Sequence, residues 1–212
     1  MQTNFSDVEQ RVKRYWYTDG IGELIGGGMF LLLGFYFSTQ QYFGDQSFVG
    51  IVLQSTFALI LIGGVMVARR LINILKTHLT YPRTGYVEYS TSGQNAIWRR
   101  IVAVLIAMAV AIFSIVITRR IDAIDSMVAV TGVLVGVILL AKQGWSSGVP
   151  RFYALSAASV ILGIVLSLSG LSRGYNLGLF YGLMGTIFMI SGSLTLRRYL
   201  KENPLPVEEQ ND

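Results

Sequence analysis

Apolar positions gather in six runs along this chain, at 21–38, 48–68, 101–118, 127–141, 152–171 and 177–196. A helix needs about 20 mostly apolar residues to cross a hydrocarbon core of roughly 30 Å. The pattern therefore predicts an all-α polytopic membrane protein, a bundle of six transmembrane helices. The fourth run is the shortest, close to the length at which a re-entrant or buried helix competes with a span. Asp122 and Asp125 stand at its start and Lys142 closes it. The layout is an interfacial segment at 1–20, a six-span domain at 21–196 with a polar connection at 69–100, and a polar tail at 197–212.

The basic residues fix the expected orientation. With the N-terminus inside, the inner segments hold Arg11, Lys13, Arg14, Arg69, Arg70, Lys76, Arg83, Arg99, Arg100, Lys142, Arg151, Arg197, Arg198 and Lys201. Only Arg119, Arg120 and Arg173 fall outside. Cytoplasmic loops carry the excess of Lys and Arg, so both termini are expected inside and the number of spans is even. Without the fourth span, Arg197, Arg198 and Lys201 would lie outside. Trp16, Trp98 and Trp145 all fall at expected inner interfaces, where an amphipathic ring is stable. The first run has a basic flank, but no small-residue cleavage site follows in 39–44, so it is read as retained.

Outside the spans, Ser6 and Glu9 form a capping-box pattern that starts a short interfacial helix. Val8, Val12 and Tyr15 share one face of it, and Arg11 and Arg14 can reach headgroups. It reads as a lead-in that anchors the first span, or as a surface sensor that docks a partner. The second run continues past Arg69 with Leu71, Ile72, Leu75 and Leu79 as a stripe. It should end before Pro82, which disfavours helix at the residue ahead of it, and Tyr81 to Val87 should form a turn. The tail with Pro204 and Pro206 reads as disordered.

Composition narrows the function classes. The chain is 52% hydrophobic and 14% charged, more apolar surface than a soluble domain of 212 residues could cover. Its net charge of +5 sits at the ends of apolar runs, which points to anionic lipid headgroups and not to nucleic acid. The absence of cysteine excludes disulfides and thiolate chemistry. His78 is the single histidine, so one chain cannot assemble a histidine metal site or a Ser-His triad. Asp122 and Asp125 read as rim residues that cap the fourth span and balance Arg119 and Arg120. No cofactor is expected.

Four residues stand out as binding or ion-pair candidates: Asp19, Glu23, Gln54 and Arg83. Asp19 is placed to cap the first span, and Glu23 lies about one turn inside it. Free backbone donors and the helix dipole favour both carboxylates there. Glu23 could also face the bundle, with Arg83 as its preferred partner, or hold a proton, a metal ion or a substrate amine. Gln54, beside Ser55 and Thr56 in the second run, reads as a hydrogen bond to a neighbouring helix or as part of a pathway. Tyr175 and Asn176 read as a loop and cap.

Glycine pairs four apart, Gly22/Gly26, Gly132/Gly136 and Gly178/Gly182, predict close packing within the chain first and a homodimer second. Gly26 to Gly28 is no phosphate loop, because no Gly-Lys-Ser/Thr follows. Gly64 to Leu71 and Gly192 to Tyr199 are alike, each a glycine-led helix end closing on Arg-Arg, a slim hint of repeated hairpins.

The stretches Tyr15-Trp16-Tyr17-Thr18-Asp19-Gly20-Ile21, Leu79-Thr80-Tyr81-Pro82-Arg83-Thr84-Gly85-Tyr86-Val87 and Arg197-Arg198-Tyr199-Leu200-Lys201-Glu202-Asn203-Pro204-Leu205-Pro206 resemble those of a group of small multi-pass bacterial membrane proteins of unassigned function. The resemblance implies a protein of the bacterial plasma membrane with this layout. It brings no substrate, cofactor or catalytic residue.

The expected function is a non-enzymatic membrane subunit or regulator that meets a partner at its cytoplasmic face. The alternative is a small-solute transporter or permease subunit, with Glu23 and Gln54 on the path and energy supplied by another protein. Topology is directly testable in this cysteine-free background. Single cysteines at Tyr42, Ser90 and Ser172 are exposed to an impermeant reagent in intact cells. Labelling is expected at Tyr42 and Ser172 but not at Ser90; labelling at Ser90 would reverse the orientation.

Overall fold

The computed structural model describes residues 17–84, 126–137 and 149–204. These residues are helical, with no strand among them. The helices are α1 (Ile21–Phe43), α2 (Phe48–Leu75), a π-helical turn (Lys76–Thr80), α3 (Tyr81–Thr84), α4 (Ser126–Leu134), α5 (Arg151–Ser167) and α6 (Arg173–Glu202). Three helical stretches are long and apolar enough to cross a membrane: Ile21–Phe43, Phe48–Arg83 and Arg173–Glu202. The runs at 127–141 and 152–171 give shorter apolar helices, Met127–Val137 and Arg151–Ser167. The third run, the capping box of Ser6 and Glu9, Asp122, Asp125, the three tryptophans and the tail from 205 lie outside the described residues.

Helix ends follow their local chemistry. Gly20 precedes α1 at φ 73°, a left-handed conformation that costs an L side chain but not glycine. Gly44 ends α1 at φ 78°, its N–H donating to the Gln40 carbonyl at 2.9 Å. Three residues later Ser47 starts α2, its Oγ accepting from the Gly50 N–H at 2.9 Å.

One expected boundary is wrong. The second helix does not stop before Pro82 but runs on to Arg83, 36 residues from Phe48. The π turn makes this possible. Its wider ring is closed by the Tyr81 N–H on the Lys76 carbonyl. Proline then falls at the second residue of a new helical turn, where a missing N–H is tolerated better than in a helix interior. At 1.5 Å per residue the whole helix is about 54 Å long, well beyond the roughly 30 Å of a hydrocarbon core.

The pairing of α1 with α6 is the central contact. The two helices run antiparallel with their backbones touching through glycines seven apart, Gly20, Gly27 and Gly34 against Gly192, Gly185 and Gly178. A Cβ on Gly27 would lie 2.8 Å from the Gly185 carbonyl oxygen, and one on Gly185 would lie 2.8 Å from that of Gly27. One on Gly34 would meet the Gly178 carbonyl oxygen at 2.9 Å. Beside this seam Phe30 stacks on Phe188 and Phe37 on Tyr181, with ring centroids 5.4 and 5.5 Å apart. Phe180 and Met184, fully buried, carry the packing on to α5, through Phe152 and Leu155, and to α4, through Val128.

A second close contact joins α4 to α5. A Cβ on Gly132 would lie 2.7 Å from the Gly163 Cα. Ser159 and Ser156 donate to the carbonyls of Gly132 and Gly136 at 2.9 and 2.5 Å. The expected Gly132/Gly136 pair is thus an intramolecular contact. The Gly22/Gly26 pair is not, since added Cβ atoms there meet nothing within 4 Å. Of Gly178 and Gly182, a Cβ would be obstructed only at Gly178. The reason is the period: a long antiparallel seam returns to the same face every seven residues, not every four.

The seam makes a sharp prediction. Gly185→Val forces the α1 and α6 backbones apart and should lower stability by about 1–3 kcal/mol or more, as overpacking does. Gly26→Ala should leave stability unchanged. Thermal unfolding in mild detergent separates the two; equal loss in both variants would sink this seam.

Candidate functional site

Charge is concentrated where the first turn of α1 meets the ends of α2 and α6 and the start of α5. Asp19 and Glu23, one turn apart, are both buried, at 0% and 3% exposure. Each is closed by a base from a different part of the chain.

Asp19 faces the π turn. Its Oδ2 lies 3.0 Å from Lys76 Nζ and accepts from Thr80 Oγ1 at 3.1 Å. Its Oδ1 accepts from the Ile21 N–H at 3.1 Å. Asp19 thus satisfies one free donor of α1 as expected of a cap, although Gly20 occupies the cap position. Lys76 and Thr80 are themselves buried, at 3% and 1% exposure. They are the first and last residues of the π turn, so one carboxylate spans it from end to end.

Glu23 faces the other side. Arg151 Nε lies 2.6 Å from Glu23 Oε1, and Ser191 Oγ on α6 donates to Oε2 at 2.7 Å. The Arg151 Nη2 donates to the Tyr17 carbonyl. Its guanidinium lies over the Phe152 ring, 5.5 Å from the centroid, and the Tyr17 ring meets Phe152 edge-on at 5.4 Å. Arg151 opens α5, where the helix dipole disfavours a cation, so Glu23 offsets a local electrostatic cost as well as pairing a charge.

The preferred Glu23–Arg83 pair is therefore replaced by Glu23–Arg151. The π turn and the onward helix carry Arg83 away from α1. Its Nη1 donates to the Leu79 carbonyl one turn back, at 2.8 Å, and its buried Nε has no hydrogen-bond partner. Gln54 sits exposed on α2 and makes no hydrogen bond to another described residue. Its neighbours Ser55 and Thr56 bond back to the carbonyls of Ile51 and Val52 at 2.8 and 2.7 Å. Asn176, fully buried, donates to the Leu171 carbonyl at 3.1 Å and accepts from Ser169 at 2.8 Å, which fastens the loop before α6.

Sequence reasoning missed Lys76 and Arg151 as partners because both also serve as flanking charges of apolar runs. A signal for Lys76 was present. Ile72, Lys76 and Thr80 recur every four residues on the inner side of the stripe, while Leu71 is exposed. Nothing comparable marks Arg151.

Among the described residues no group of three His, Asp or Glu side chains is placed to hold a metal ion. The two nodes hold opposite charges at contact; Asp19, Lys76 and Glu23 are buried, and Arg151 is about a quarter exposed. Their chemistry is that of helix clamps. No family model, curated protein or solved structure matches the chain.

Removing one member of a fully buried pair costs about 3–5 kcal/mol, and removing both is far milder; losing Arg151 strands the buried Glu23, whereas losing Glu23 leaves the partly exposed Arg151 and should cost less. Arg151→Gln should destabilise strongly and Glu23→Gln less so, with the double variant recovering much of the Arg151→Gln loss. Detergent unfolding of the four proteins tests it; additive losses would mean that the pair is not coupled.

Proposed function

We propose that this protein is an integral membrane subunit or regulator, without chemistry of its own, that acts through a partner at its cytoplasmic face. One observation carries the reading: both buried carboxylates are consumed by bases and hydroxyls of the same chain. A proton, metal ion or amine carried at either residue would need that carboxylate free. The separation of exposed Gln54 from buried Glu23 weighs against a permease subunit built on those two residues.

The layout proposed is six spans with both termini inside, in the plasma membrane of a bacterium of the resembled group. Charge supports this orientation. Of the described basic residues, Arg69, Arg70, Lys76, Arg83, Arg151, Arg197, Arg198 and Lys201 gather toward the end of the bundle that holds Asp19 and Glu23. Arg173 alone starts a helix at the other end. The excess of positive charge belongs to the cytoplasmic side. The exposed members of this set meet anionic headgroups, and the surface proposed for a protein partner is the N-terminal segment, the chain around Pro82 and the Arg197–Lys201 exit. A homodimer is the second mode of association.

The deciding experiment is a mild-detergent pull-down of the tagged protein from its own host, with mass spectrometry of the proteins and lipids that accompany it. A stoichiometric partner such as an ATPase or receptor is expected. Recovery of only the chain itself and lipid, or solute flux through liposomes holding the purified protein alone, would overturn the proposal.

A further inference from the structure

The π turn at Lys76–Thr80 is the one interruption in a 36-residue helix, and it is held from outside that helix. A single π turn is in effect one extra residue inserted in an α-helix, and such turns persist where the surroundings fix them. Asp19 is one such fixing group. Its Oδ2 meets both ends of the turn, Lys76 at 3.0 Å and Thr80 at 3.1 Å. Just beyond the turn, Arg83 keeps a buried Nε without a hydrogen-bond partner. An unsatisfied buried donor is costly, so this end of the helix carries an opposing strain.

We propose that Asp19 is the latch of a π-to-α switch that rotates the helix end bearing Arg83 against the bundle. With the latch closed, the extra residue is stored in the turn. With it open, the turn relaxes to α-helix, kinked where the Pro82 ring meets the His78 carbonyl, and the following residues advance by one position, about 100° around the axis. Tyr81 then takes the exposed side that Pro82 now occupies, and Pro82 takes the half-buried side of Arg83. Arg83 leaves its present setting and its Nε gains access to solvent or headgroups. The upstream part of α2 stays in place, held against α1 by Tyr36, whose hydroxyl donates to the Leu53 carbonyl at 3.4 Å and whose ring packs on Phe57 with centroids 4.7 Å apart. The switch gives the cytoplasmic surface proposed above a moving part. It rests on that reading only for its use, and a pull-down without a partner leaves it standing.

The test uses the full chain in its membrane and reads the rate at which single cysteines at 81 and 82 react with a soluble maleimide. In the parent, the cysteine replacing Pro82 reacts faster than the one replacing Tyr81. With Asp19→Asn the order should reverse, 81 rising and 82 falling several-fold, while a control cysteine at Tyr42 at the far end keeps its rate. Thr80→Val, which loosens one end of the latch and strands no charge, should shift both rates in the same directions by less. Deleting Thr77, an exposed residue of the turn, removes the stored residue; Asp19→Asn in that background should then leave the order unchanged. Rates at 81 and 82 that rise together, or an unchanged order in both Asp19→Asn and Thr80→Val, would overturn the latch. A reversal that persists after the deletion would show that the turn is not the hinge.

Discussion

The approach of two backbones governs this fold. Where α1 lies on α6, carbonyl oxygens of one helix stand within 3 Å of where a side chain of the other would begin. Lipid tails are as apolar as leucine, so burying apolar area does little to join helices within a membrane. What remains is dispersion, which is strong only at contact distance, and glycine alone permits that distance along a whole helix. The seam then places everything beside it. It brings Ser191 to Glu23 and seats Gly20 under Gly192, and it aligns the aromatic pairs Phe30–Phe188 and Phe37–Tyr181.

The ion pairs solve a different problem at one end of the same seam. Glycine contacts fix how near two helices lie but tolerate sliding, because every seventh residue offers much the same surface. A buried charge does not tolerate it. If α1 moved one turn, Asp19 and Glu23 would lose Lys76 and Arg151 together, leaving three buried charges without their partners. Two acids one turn apart, each answered from a different helix, therefore select a single register for α1, α2, α5 and α6. Their position at the helix ends limits the cost, since desolvation is gentlest there and the α1 dipole favours both carboxylates.

Much of this was legible in the residues. Apolar runs found α1, α2 and α6 to within a few residues at their starts, and glycine abundance announced close packing. Asp19 and Glu23 stood out because carboxylates at the edge of an apolar run need a reason. What could not be read were relations between distant segments. Glu23 and Arg151 are 128 residues apart, and no local pattern links them. The period of the glycine seam was missed because spacing by four is the familiar signature, whereas seven is what a sustained antiparallel contact requires. Pro82 misled for a subtler reason. It forbids one hydrogen bond, and a π turn just ahead of it rearranges that bond so the helix can continue.

The same geometry bears on why charge in this protein is so sparing. A membrane protein that moves an ion must leave a polar group partly unsatisfied, ready for an occupant, and keep it stable through its surroundings. Among the described residues the buried carboxylates Asp19 and Glu23 are matched, Oδ and Oε atoms alike, by donors of the chain itself. The buried group left unmatched is the Nε of Arg83, outside the glycine seam and past the π turn. The proposed partner surface rests on that placement: a cation stands on a helix end whose π turn is joined by one carboxylate to the start of α1.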